Sequence, residues 1–172
     1  MSSLNKNTFF KSLLFYFPTL LLFISVLNEI DFNYLKIEYF SFNFVYILIF
    51  YWTLKNPHYL SYGSIFIAGL VNDVVTGLPI GISSLCYLLI CAVTAYLRNI
   101  TLTPNFMNDW LSLLFTILLV NSIQVMSLDL IFSIDVNYIR YSINSGFTFV
   151  FYPLFLFLFN NLEKKIKTQK ND

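Results

Sequence analysis

The chain has 172 residues, of which 58% are apolar, 20% aromatic and only 11% charged, against roughly 25% charged in ordinary soluble domains. That deficit excludes a soluble globular domain, and the aromatic content excludes a disordered polar chain. Ten Lys and Arg against nine Asp and Glu leave a net charge of +1, so there is no global basic field to attract nucleic acid and the class that fits is a polytopic membrane protein.

A spanning helix takes about 20 residues, so about six spans nearly use up the chain. Apolar runs bounded by charges, Pro, Gly and Asn predict an all-α membrane protein with helices at Ser12–Leu27, Phe40–Leu54, Leu60–Thr76, Ile82–Leu97, Leu111–Ile131 and Ser142–Asn160. Together they form a single polytopic domain over residues 1–172. Several runs are short for a span, and interfacial Tyr, Phe and Trp are expected to extend those helices.

The first run follows Lys6 and Lys11 but ends Ile24-Ser25-Val26-Leu27-Asn28, without a small-residue cleavage site, and reads as an uncleaved anchor. An even number of spans puts both termini on one side, and cytoplasmic segments collect Lys and Arg. Lys6, Lys11, Lys55, Arg98, Lys164, Lys165, Lys167 and Lys170 fall on the side of the termini, with Lys36 and Arg140 on the other. Both termini are therefore expected in the cytoplasm. Glu29, Asp31, Glu38 and Asp135 fall on the external loops, and the lysine-rich tail is expected to touch headgroups or a cytoplasmic partner. Trp52 and Trp110, near inner boundaries, read as aromatic-belt anchors.

The third run and the turn after it hold four of the five glycines. Pro57 opens the turn before the helix, Gly63 starts it, and Gly69, Asp73 and Gly77 recur every fourth residue on one stripe, followed by Pro79 and Gly81. Small residues on that stripe let another backbone approach, so Asp73 is expected to face protein. A carboxylate at mid-membrane costs about 2.5–3.5 kcal/mol on insertion scales, and Asp73 sits about one helical turn from the break at Gly77. Two readings stand for it: a cap on that turn, or an ion pair with Arg140 at the same outer face.

In the fifth run Asn121 and Gln124 share a face, and Asn144 lies in the sixth. Such amides either hydrogen-bond across the bundle core or line a cavity for a ligand. Cys86 and Cys91 lie five apart, about 140° around a helix, which argues against a disulfide or a metal pair. His58 is the single histidine, in a turn, so neither a His-based triad nor a multi-histidine metal site is expected. No G-x-S-x-G, H-E-x-x-H, P-loop or G-x-G-x-x-G pattern occurs, and no enzyme, cofactor or metal is expected.

Tyr51-Trp52, Pro57-His58, Gly63, Gly69-Leu70, Asp73, Gly77, Gly81 and Tyr96 form a pattern that resembles the MreD family of rod shape-determining membrane proteins. The motif covers about residues 51–97, and the rest agrees in order and hydropathy; polar Asn72 beside the acid and the richness in Phe, Asn and Lys depart from bacterial members. The resemblance implies a non-catalytic, multi-pass component of the bacterial plasma membrane in the cell-elongation machinery. Its implied partners are an MreC-like bitopic protein, MreB filaments, a RodA-type polymerase, a penicillin-binding transpeptidase and membrane lipids, in support of lateral peptidoglycan synthesis. Pro57, Gly69, Asp73, Gly77 and Gly81 would be its signature positions, for helix packing and partner binding rather than catalysis.

The architecture also resembles the six-helix substrate-binding subunits of energy-coupling-factor vitamin transporters, which makes such a subunit the alternative function. Those subunits typically dock through an Ala-x-x-x-Ala face on the first helix, whereas the alanines here are Ala68, Ala92 and Ala95.

Overall fold

A computed structural model describes residues 16–27, 41–100 and 105–171, with side chains as far as 164. Among the described residues the secondary structure is helical throughout: α1 Tyr16–Leu27, α2 Phe44–Lys55, a 3-10 turn Pro57–Tyr59, α3 Tyr62–Thr76, α4 Ile82–Ile100, α5 Phe106–Leu130 and α6 Tyr138–Asn171. Three helical stretches, Ile82–Ile100, Phe106–Leu130 and Tyr138–Lys164, are long and apolar enough to cross a membrane; α1, α2 and α3 are shorter. The expected external acids Glu29, Asp31 and Glu38 and the cation Lys36 lie outside the described residues.

α2 is the core of the bundle. Every residue from Val45 to Thr53 is buried, and a helix apolar on all sides belongs inside a protein or a membrane. It packs against α4, α5 and α6, while α3 lies on α4 and α5 joins α4 to α6. Phe50 meets Tyr152 edge-on at 5.8 Å, and Tyr51 and Trp52 meet Phe159 at 5.1 and 6.4 Å.

Interfacial aromatics do not lengthen α2, contrary to the expectation from its short apolar run. Asn43 caps its start by accepting from the Tyr46 N–H at 3.2 Å, and Pro57 follows its last residue by two, where a proline ring opposes further helix. Nor does Trp52 sit at a headgroup boundary: it is fully buried, edge-on to Tyr51 and near Tyr59, both at 5.3 Å. Trp110 is half-buried, donates from its indole to the Phe149 carbonyl at 3.0 Å and stacks on the Phe149 ring at 4.7 Å.

α5 and α6 outrun their apolar segments. α5 begins at Phe106 because Asp109 in its first turn favours the positive helix end and pairs with Lys55 of α2 at 2.7 Å. α6 passes through Pro153 without ending, held on both sides of it by the packing of Tyr152 and Phe155 against α2.

The surface is apolar and part of the interior is polar. Phe115, Leu118 and Met126 of α5, with Val150, Leu154 and Phe157 of α6, are more than half exposed. Asp73, Ser84, Thr94, Thr116 and Thr148 are buried. That is the distribution expected where lipid replaces water as the surroundings and polar groups find each other between helices. Lys55, Arg98 and Glu163 gather at one end, through Lys55–Asp109, Arg98 to the Thr53 carbonyl at 3.2 Å and Tyr51 to Glu163 at 2.9 Å. Arg140 lies at the other end, exposed on the first turn of α6.

Candidate functional site

Two polar features lie next to each other at the Arg140 end: the joint between α3 and α4, and a pocket enclosed by the helix ends.

The joint starts from a close approach. A Cβ added to Gly69 would stand 2.4 Å from Cα and 2.6 Å from N of Ser84, so only glycine permits this spacing between α3 and α4. Ser84 also donates its hydroxyl to the Phe66 carbonyl at 3.0 Å. One turn further, Asp73 is fully buried. Its Oδ2 accepts from the Gly81 N–H at 2.7 Å and its Oδ1 from the Ser83 N–H at 2.8 Å. These amides belong to the turn before α4 and to its first residues, where N–H groups lack partners within the helix and the helix dipole favours a negative charge. Asp73 of α3 thus caps α4. Its own carbonyl accepts from the Gly77 and Leu78 N–H groups, which closes the end of α3. Gly77 has φ +69°, the left-handed conformation that ends many helices. Asn72 adds a bond from Nδ2 to the Ser83 hydroxyl at 2.9 Å.

The Gly69–Asp73–Gly77 stripe therefore divides by role. Gly69 is the point of helix contact, whereas Gly77 and Gly81 are turn residues with nothing within 4 Å of an added Cβ. Gly63 is exposed with only the Ser61 hydroxyl at 3.7 Å, and Pro57 opens the 3-10 turn that also carries exposed His58. An Asp73–Arg140 ion pair is not formed: both carboxylate oxygens face backbone N–H groups of the α4 start, and the Arg140 backbone N–H is held by Asn137 on the exposed face. Among the described residues Lys55 of α2 pairs with Asp109 of α5 at 2.7 Å, a contact that sequence reasoning did not reach.

The pocket has a volume of about 400 Å³ and is lined from α1, α2, α3, α4, α5 and α6. Asn121, Gln124 and Asn144 all face it. Each also links helices or their ends: Asn121 to the Ser145 hydroxyl at 2.7 Å, Gln124 to the Tyr46 hydroxyl at 3.1 Å, and Asn144 to the Ser41 hydroxyl at 2.7 Å. Tyr87, Asn72 and Arg140 complete its polar side, and Arg140 is the cation among its described lining residues. Sequence reasoning did not reach Tyr87 or Ser83, and it met Asn72 only as the polar residue beside Asp73. The signal available was the small polar pair Ser83-Ser84 directly after the Gly81 turn, opposite Gly69 on the preceding helix. Among the described residues no group of three or more His, Cys, Asp or Glu could hold a metal ion, and both cysteines are free and buried.

The family model of the rod shape-determining protein MreD matches residues 9–162. No curated protein and no solved structure matches the chain. The family match reaches into all six described helices, including the motif from Tyr51 to Tyr96, and three of those helices are long and apolar enough to cross a membrane. The chain belongs to the MreD family of rod shape-determining proteins.

Proposed function

We propose that this protein is a non-catalytic, six-span scaffold of the bacterial inner membrane, with both termini in the cytoplasm, that binds an MreC-like bitopic partner to support lateral peptidoglycan synthesis. MreB filaments, a RodA-type polymerase and a penicillin-binding transpeptidase are its wider assembly. The observation that carries the reading is the family match over residues 9–162. The structure supports it through Asp73, whose two oxygens are both committed to backbone N–H groups of the next helix. A carboxylate so engaged fixes geometry. With Gly69 it holds α3 and α4 in one arrangement, so that the partner's single transmembrane helix meets a preformed apolar groove at low ordering cost. The clustering of Lys55 and Arg98 at one end, with Arg140 at the other, supports the orientation.

Affinity purification of the full chain in mild detergent tests the proposal. Co-elution of a bitopic protein with an extracytoplasmic coiled coil is expected. Co-elution of a pair of ATPases would instead favour the transporter subunit, and elution with neither would contradict the scaffold.

A further inference from the structure

The pocket at the Arg140 end holds more hydrogen-bonding capacity than the protein uses. Gln124 receives the Tyr46 hydroxyl on Oε1, which leaves its amide N–H groups uncommitted among the described residues. Tyr87 is 3% exposed, and its hydroxyl has no hydrogen bond among the described residues although the ring lines the pocket. Asn121 and Asn72 each donate from Nδ2 to a serine hydroxyl, at 2.7 and 2.9 Å, and keep Oδ1 open. All four residues line the pocket, so these donors and acceptors can meet a bound molecule.

The distribution is also directional. Gln124 and Tyr87 are buried deep in the bundle, while Arg140 is exposed at the mouth with no carboxylate among the described lining residues to neutralise it. A volume of about 400 Å³ is within the usual range for small-molecule sites. An Arg guanidinium pairs with phosphate through two parallel hydrogen bonds, and amides and phenols pair with hydroxyls.

We propose that this pocket binds a ligand with one phosphate ester and several hydroxyl groups, the phosphate at Arg140 and the neutral end at Gln124 and Tyr87. Free organic phosphates and phospholipid headgroups share this chemistry. The site is tested apart from the scaffold reading, because Arg140, Gln124 and Tyr87 are not among the residues that hold α3 against α4, although Asn72 and Ser83 line the pocket and also bridge those helices.

The test uses the full chain purified in dodecyl maltoside, an uncharged detergent. One arm titrates sn-glycerol 3-phosphate by equilibrium dialysis; the other adds phosphatidylglycerol or uncharged diacylglycerol to the micelles and counts bound lipid by native mass spectrometry. Saturable binding of one probe per chain is expected, and the arm in which it occurs assigns the source. Arg140→Ala should weaken it about tenfold to a hundredfold, the range for a lost charge-assisted pair. Tyr87→Phe should weaken it about threefold to tenfold, as for one neutral hydrogen bond. Both variants should melt at the temperature of the parent, since one removes an exposed side chain and the other only a hydroxyl. Absence of saturable binding in both arms, or equal binding by the parent and both variants, overturns the proposal.

Discussion

The joint between α3 and α4 and the pocket beside it are built from the same kinds of residue and use them in opposite ways. At the joint every polar group of Asp73 is consumed within the protein: two oxygens by Gly81 and Ser83, the carbonyl by Gly77 and Leu78. In the pocket Gln124, Tyr87, Asn121 and Asn72 keep donors or acceptors unspent. The difference separates polar residues that fix geometry from polar residues available for recognition. In an apolar chain where each buried polar group is expensive, both uses need a compensating interaction. At the joint that interaction is visible in the fold.

The contrast can be broken by substitution, and the costs should fall in a definite order. Gly69→Leu has the largest expected effect, because even its first carbon would lie 2.4 Å from the Ser84 backbone. Backbone cannot rotate aside as a side chain can, so α3 and α4 must separate, at a cost above the about 1–3 kcal/mol of ordinary overpacking, and loss of folded protein on size-exclusion chromatography in detergent is the expected readout. Asp73→Ala follows, with a loss of about 3 kcal/mol from two buried N–H groups deprived of a charged acceptor. Asp73→Asn should lose less, since one amide oxygen still accepts, and the pair is compared by denaturant-induced unfolding.

Asp109→Ala ranks third. Lys55 is 30% exposed and Asp109 8%, so the stranded ammonium regains part of its hydration and the loss is expected near 1–2 kcal/mol, below that for a fully buried pair. Arg140→Ala comes last, within about 0.5 kcal/mol of the parent, the usual range for a surface change. Its thermal midpoint should be unchanged while its binding to a phosphate ligand is not. A large loss of stability in Arg140→Ala would place it with the joint and dissolve the distinction.

Much of the helix plan was readable from apolar runs, because lipid or neighbouring helices cover most of each helix and hydropathy alone marks it. The ends of α3 and α4 were readable for another reason: Gly77 and Gly81 adopt φ +69° and +104°, conformations that favour glycine. The stripe that places Asp73 toward protein was equally plain. Its actual partners were not, because a carboxylate meeting backbone N–H groups eight and ten residues on leaves no side-chain signature. Arg140 drew attention as a charge, yet charge complementarity carries no distance information, and the start of α4 offered closer donors. Trp52 was misplaced because a tryptophan near a helix end reads alike at a headgroup boundary and in a core. The burial of α2 from Val45 to Thr53 decides between them, and that depends on α4, α5 and α6 surrounding it. The pocket was beyond sequence reasoning as a shape, since it is assembled from side chains on six helices; Asn121, Gln124 and Asn144 drew attention only as amides that either bridge helices or line a cavity.

The central claim is that the α3–α4 geometry set by Gly69 and Asp73 serves partner capture in cell elongation. It is tested most directly by replacing the native gene with Asp73→Ala, matching membrane protein levels to the parent, and measuring cell length-to-width ratio together with recovery of the MreC-like partner by affinity purification. Rounded cells and reduced partner recovery are predicted. Normal rods with full recovery at matched levels would contradict the account.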